Sequence, residues 1–285
     1  MIRAAVLGAD VSKSRSPAIH NAAYRVLGLE GRYEAISVEP AQFAAAVADL
    51  DARGFQYLNV TIPHKAAAAA LGTTRSAMVR QCGAANTLIF EPGSPGVLHA
   101  ANTDGYGLLS ALSDLAADAG GQDVVLVGAG GAAAGALEAL TAAGARVRVV
   151  ARRLEAAQEL VEKVPPQRRR LARAFAWGDA GPGEGGLVQA LDGVRALVSS
   201  VPAAAWDDPA AVQGIGAIDR DTVVLEMAYG SRGPSPLARA VRGRVARYAD
   251  GLGMLVHQAA RAIELALGES PPLAPLFTAA RTAHL

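Results

Sequence analysis

Asp123-Val124-Val125-Leu126-Val127-Gly128-Ala129-Gly130-Gly131-Ala132-Ala133 decides how this chain is read. Five residues of buried-strand character run straight into a glycine turn, and a run of small residues with helical potential follows at once. The spacing fits G-x-G-x-x-G/A. The first glycine permits a tight turn, the second lets a ligand approach the backbone, and Ala133 is small enough for the helix to lie close to the sheet. A helix starting there points free N–H groups and partial positive charge into the turn, which suits a diphosphate. Gly128, Ala129, Gly130, Gly131 and Ala132 are therefore the predicted cofactor loop.

The next strand, expected over 146–150, indicates which dinucleotide. Proteins that hold NAD usually end this strand with Asp or Glu, which binds the ribose 2′-hydroxyl. Here Ala151-Arg152-Arg153 follows. A guanidinium binds a 2′-phosphate in bidentate fashion, whereas a carboxylate would repel it. NADP is the expected cofactor, with Arg152 as the contact and Arg153 as a second candidate.

Outward from this motif, strand-like and helix-like runs alternate along the chain, which argues for α/β architecture with mainly parallel sheets. Toward the N-terminus, strands are expected over 2–8, 32–38 and 57–62, with a hairpin over 87–90 and 97–101. Helices are expected from Ser16 (as N-cap, before Pro17) to about 28, from Glu39-Pro40 to Gly54, after Pro63, and over 106–119. Toward the C-terminus, strands are expected over 196–201 and 222–227, and helices over 154–164, over 254–267 and after Pro271-Pro272. The basic run 167–170 and the Gly-rich segment 178–186 read as exposed loops. The expected organisation is a Rossmann-type NADP domain at 106–250, inserted in an N-terminal α/β substrate domain built from 1–105 plus 251–285.

Composition narrows the function classes. The 285 residues carry a net charge of +1, so no global field points to nucleic acid or an anionic membrane. Cys82 is the sole cysteine, which excludes an intramolecular disulfide and fits the cytoplasm. The five histidines are scattered, and no Cys/His spacing suggests a metal site. Lysine occurs only at 13, 65 and 163 in a chain that otherwise uses arginine. Unlike Arg, Lys can be tuned to release its proton, so a retained lysine draws the eye.

Three segments hold polar residues that a sheet-and-helix scaffold does not need: Ser12-Lys13-Ser14-Arg15-Ser16-Pro17, Asn59-Val60-Thr61-Ile62-Pro63-His64-Lys65, and Asn102-Thr103-Asp104-Gly105, with Gly83-Ala84-Ala85-Asn86-Thr87 close upstream of the last. Each lies at a strand end, where open α/β sheets bind ligands. Short Ser, Thr and Asn side chains suit a polyhydroxylated ligand. A single Lys and a single Asp, Lys65 and Asp104, are the candidates for proton chemistry. Asn59 and Asn102 read as turn-formers.

These segments carry a resemblance. Ser14, Ser16 and Pro17 with His20-Asn21, NVTIPHK (59–65), GAANT (83–87), NTDGYG (102–107), GAGGAA (128–133), and GLGMLV (251–256) with Gln258-Ala259 are similar, in order, to the motifs of the shikimate dehydrogenase family. The resemblance implies reversible NADPH-dependent reduction of 3-dehydroshikimate to shikimate in aromatic biosynthesis. It implies that Lys65 and Asp104 form the catalytic pair and that Ser14 and Ser16 hold the substrate carboxylate, with Tyr229 nearby. Thr61, Asn86 and Gln258 would bind ring hydroxyls. Gly251 and Met254 would belong to the cofactor site, Met254 packing near the nicotinamide. The expected partners are a small-molecule substrate and, at most, a second copy of the chain in a homodimer.

The chain departs from the family pattern in places. Asp10 stands where Pro is common, Ala151-Arg152-Arg153 replaces Asn-Arg-Thr, Ser199-Ser200-Val201-Pro202 replaces Asn-Ala-Thr-Pro, and Glu226 replaces Asp. Three alternatives stay open: a quinate/shikimate dehydrogenase, an aminoshikimate-type paralogue, and a non-catalytic NADP-sensing module.

Overall fold

The computed structural model describes residues 1–178, 186–208, 214–229 and 233–283. The Gly-rich segment 178–186 lies almost wholly outside the described residues. The chain divides into two compact units, Met1–Gly107 with Leu255–Leu285, and Leu108–Met254.

The first unit holds a six-stranded sheet: β1 (Ile2–Gly8), β2 (Gly31–Ser37), β3 (Tyr57–Val60), β4 (Thr74–Arg75), β5 (Thr87–Phe90) and β6 (Leu98–Ala101), in the order β2-β1-β3-β5-β6-β4. β1 is parallel to β2 and β3, and β4 is parallel to β6. β5 runs antiparallel to both β3 and β6. The core packs Leu7, Phe43, Leu50, Leu58 and Leu88. This topology positions a site. Because β1, β3 and β6 run in the same direction, the segments after their C-terminal ends meet at one edge, where β5 begins. Ser14 follows β1, Lys65 follows β3, Asp104 follows β6, and Asn86 precedes β5.

Several helix starts differ from expectation. The first helix spans Ser16–Val26, with Arg15 as cap and Pro17 in its first turn. Ser16 is thus the first helical residue and not the cap; its N–H donates to Ser14 Oγ at 3.2 Å. The helix expected over 106–119 spans Asp104–Asp114. Asn102 Oδ1 accepts the Asp104 N–H at 2.9 Å, which starts the helix two residues early. The segment after Glu39 begins as a single 3-10 turn, Pro40–Gln42, before the helix Phe43–Ala52.

The second unit holds β7 (Asp123–Val127), β8 (Arg146–Ala151), β9 (Ala172–Ala176), β10 (Ala196–Ser199), β11 (Val223–Glu226) and β12 (Arg247–Ala249), in the order β12-β11-β10-β7-β8-β9. Every neighbouring pair is parallel. This is the doubly wound order with its switch point between β7 and β10. Val125, Val127, Leu197 and Val224 are fully buried, as strands covered on both faces require. β9 and β12 were not expected. The basic run before β9 is not wholly a solvated loop either: Arg168 Nη2 lies 2.6 Å from the buried carboxylate of Glu138, on the helix Gly131–Ala142. Among the described residues no helix is long and apolar enough to cross a membrane.

Candidate active site

Lys65 opens the helix Lys65–Leu71, and Asp104 opens the helix Asp104–Asp114. Lys65 Nζ donates to Asp104 Oδ2 at 2.6 Å, with both side chains partly buried. The other carboxylate oxygen, Oδ1, accepts from Asn86 Nδ2 at 2.9 Å. Asn86 is 4 % exposed and fully engaged. Its amide nitrogen also donates to Thr103 Oγ1 at 3.0 Å, while its Oδ1 accepts from the Thr103 N–H at 2.8 Å and the Thr87 hydroxyl at 2.9 Å. Asn86 therefore holds Asp104 through the same amide that was expected to meet ring hydroxyls.

Around this pair, the loop 61–64 is anchored by the main chain: Thr61 N–H donates to Leu7 O at 2.8 Å, and His64 N–H to Thr61 O at 2.9 Å. His64 is buried, stacked on Phe43, with Nε2 2.8 Å from Val38 O. Thr61 and Gln258 are half-buried residues of the same unit, as is Ser14, whose Oγ receives the Ser16 N–H. Asn59 and Asn102 do more than form turns. Asn102 Nδ2 ties to Ala84 O at 3.0 Å, and Asn59 bridges β3 to the start of β5.

The second unit carries a separate cavity of about 600 Å³ at the C-terminal ends of β7, β8, β9 and β10. It is lined by the Gly128-Ala129-Gly130 turn, Arg152 and Arg153 after β8, Trp177 after β9, and Ser200-Val201-Pro202 after β10. Gly128 has φ +119°, which L side chains rarely adopt, and a Cβ there would fall 2.3 Å from Ser200 Oγ. At Gly130 and Gly131 an added Cβ would meet nothing within 4 Å, so the space over the turn is open. Gly131 and the exposed Ala132 begin the helix Gly131–Ala142, while Ala133 is fully buried in the core. The first-turn N–H groups of a twelve-residue helix therefore face a cavity whose lining has two guanidinium groups and no carboxylate. These residues fit a dinucleotide with a 2′-phosphate. Trp177 was missed in the sequence, and Ser200, though noted in the departing loop 199–202, was not named as a site residue. Each follows a strand of the doubly wound sheet, but β9 was not expected and β10 was expected to run on to 201, so neither position stood out.

Three further candidates belong to the second unit. Gly251 has a structural reason of its own: a Cβ would fall 2.1 Å from Met227 O, so only glycine lets the chain pass the end of β11. Met254 is buried in the hydrophobic cluster with Leu126 and Leu225. Tyr229 lies beyond β11 with its ring partly exposed. No group of three or more potential metal ligands occurs among the described residues.

A doubly wound unit with a phosphate-compatible glycine turn and a second unit carrying a Lys–Asp pair together define an NADP-dependent oxidoreductase. Residues 6–88 match the family described as the shikimate dehydrogenase substrate binding domain, and residues 115–222 match the putative NAD(P)-binding family. The shikimate dehydrogenase (NADP(+)) of Paracidovorax citrulli is 40% identical over 282 residues, covering 95% of this chain and 94% of that protein. The crystal structure of shikimate 5-dehydrogenase from Thermus thermophilus in complex with NADP(H) and shikimate superposes with a TM-score of 0.83 at 30% identity, covering 99% of this chain and 100% of that one. The ligand-free 5-ketofructose reductase of Gluconobacter has the same TM-score, 0.83, at 25% identity, covering 98% of each chain. The chain belongs to the shikimate dehydrogenase family.

Proposed function

We propose that this protein catalyses the reversible NADPH-dependent reduction of 3-dehydroshikimate to shikimate, and that its first unit holds the substrate while its second holds the cofactor. The observation that carries the reading is the Lys65–Asp104 contact at 2.6 Å, set among the polar residues at the converging strand ends. When bound, NADPH supplies the hydride. Ketone reduction then builds negative charge on the substrate oxygen, and a cation within hydrogen-bond reach stabilises that charge. Lys65 Nζ is the group assigned to donate the proton to this oxygen. Asp104 keeps the ammonium in place and accepts from the substrate hydroxyl beside it. Ser14 and Ser16 take the substrate carboxylate, with Tyr229 contributing there. Thr61 and Gln258 orient the ring, and Asn86 acts mainly by holding Asp104. Arg152, assisted by Arg153, meets the 2′-phosphate.

The test is direct. Purified protein mixed with NADP⁺ and shikimate should generate the absorbance of NADPH, and NAD⁺ should replace NADP⁺ poorly. A flat trace with shikimate and a rise with quinate would transfer the assignment to a quinate dehydrogenase. The likeness to a ketofructose reductase makes 5-ketofructose the second substrate to try. Binding of NADPH with no turnover of any of these would favour a sensing module.

A further inference from the structure

We infer that Thr87 and Asn59 are positioning residues for the Lys65–Asp104 pair, acting through a hydrogen-bond chain that can run in only one direction. This rests on the assignment of that pair as catalytic. The chain begins at Tyr33, whose hydroxyl donates to Asn59 Oδ1 at 2.7 Å. Asn59 Nδ2 donates to Thr87 Oγ1 at 3.1 Å, Thr87 Oγ1 to Asn86 Oδ1 at 2.9 Å, and Asn86 Nδ2 to Asp104 Oδ1 at 2.9 Å.

Main-chain groups, which cannot change sign, fix the polarity at two points. Asn59 Nδ2 also donates to the Asn86 carbonyl oxygen at 3.2 Å, and a carbonyl can only accept. The amide of Asn59 therefore presents N–H to Thr87 as well. Thr87 Oγ1 accepts that bond and has one proton left, which goes to Asn86 Oδ1. The second fixed point is the Thr103 N–H, which donates to the same Asn86 Oδ1 at 2.8 Å and can only donate. A flipped Asn86 amide would set its NH₂ against two donors at once. In the orientation observed, it must give N–H to Asp104.

The outcome is a carboxylate gripped separately at each oxygen, Oδ1 by Asn86 and Oδ2 by Lys65. Rotation of the carboxylate would break both bonds. The strand register makes the device compact: Asn59 and Thr87 are directly paired residues of β3 and β5. Thr87 is 0 % exposed, so it acts on the pair only through its neighbours.

The experiment is a double-mutant cycle on the intact enzyme, read as shikimate oxidation. Thr87→Val keeps the shape and removes the hydroxyl. It should lower kcat about tenfold, the scale of one buried hydrogen bond and the acceptor it strands, while KM for shikimate moves less than about twofold. Thr87→Ser should restore kcat. In an Asp104→Asn background the same Thr87→Val change should cost less than about twofold further, because its route to the chemistry is already cut. NADPH affinity, read by cofactor fluorescence, should be unchanged and confirms a folded protein. Should Thr87→Val not fold, Asn59→Ala takes its place in the same cycle. Equal cost in both backgrounds, or a serine variant as slow as the valine one, would overturn the inference by making Thr87 a packing residue. An unaffected Thr87→Val beside an inactive Asp104→Asn would overturn it alone. Full turnover by Asp104→Asn would overturn the catalytic pair itself, and the inference with it.

Discussion

Arg168 reaches from the segment before β9 to place Nη2 2.6 Å from Oε1 of Glu138, a carboxylate in the middle of the helix that opens at the glycine turn. Glu138 is buried and Arg168 half-buried, with side chains 6 % and 17 % exposed, and Arg168 also donates to the Glu138 carbonyl oxygen at 3.3 Å. It fastens the cofactor-loop helix to a stretch that the sequence presents as a loop.

Removing one partner should therefore be costly. Arg168→Ala leaves Glu138 buried without its cation and should lower unfolding free energy by about 3–5 kcal/mol. Adding Glu138→Gln to that variant should recover most of the loss, because the stranded charge is gone. Urea unfolding of the two variants checks this. A loss below about 1 kcal/mol in Arg168→Ala would mean that water reaches Glu138.

Lys65→Met should abolish the proton donor while keeping most of the side-chain volume. Turnover should fall by at least about 100-fold, the usual scale for a lost general acid. NADPH affinity should stay within about twofold, since the cavity lined by Arg152 and Trp177 is built wholly from the second unit. Stopped-flow turnover and a fluorescence titration separate the two readouts. Weak NADPH binding by this variant would show that the lysine serves the cofactor and not the substrate.

Arg152→Ala combined with Arg153→Ala should raise the Kd for NADPH by about 10–100-fold, the range of one or two charge-assisted hydrogen bonds. NADH has no 2′-phosphate, so its affinity should barely change. Trp177 lines the same cavity, with its ring tilted 45° to that of Trp206 at a centroid distance of 5.1 Å, so tryptophan emission offers the readout. Parallel losses for both cofactors would place the two arginines in packing, not in phosphate recognition.

His20 makes folding sensitive to acid. It is buried, stacked on Tyr33 at 3.9 Å, and its Nδ1 lies 2.7 Å from the Tyr57 hydroxyl. Burial pushes its pKa down to about 3, whereas a free histidine titrates near 6.5. Between these values the unfolded chain takes up a proton that the native state refuses. Stability is therefore fully present above about pH 6.5 and declines as pH falls toward 3, by up to about 1.4 kcal/mol per pH unit. Urea midpoints between pH 7 and 5, above most of the carboxylate range, should follow this slope, and His20→Asn should flatten it. An unchanged slope in that variant would locate the acid sensitivity elsewhere.

Much of the cofactor unit could be read directly from the chain. The strand 123–127 was expected at the bounds it adopts, because continuous Val and Leu before a glycine turn admits few other readings. The strand at 172–176 could not be read the same way. Ala172-Arg173-Ala174-Phe175-Ala176 has no β-branched residue, and it becomes a strand by pairing along β8 from Val147 to Ala151. The three-residue strand Arg247–Ala249 likewise exists only by its pairing with β11. Helix starts were misjudged where a neighbouring side chain competed for the cap, as Asn102 does at Asp104.

The candidate site divides in the same manner. Motif order and local chemistry were enough to select Lys65, Asp104, the glycine turn and the two arginines, because residue type and strand-end position are local properties. That Asn86 is consumed in holding Asp104, and that Asn59 and Thr87 set the direction of its amide, depends on donors from 17–28 residues away meeting across three strands. Hydrogen-bond polarity is a property of assembled neighbours. A linear chain names the groups able to donate and accept, and only packing decides which of them face each other.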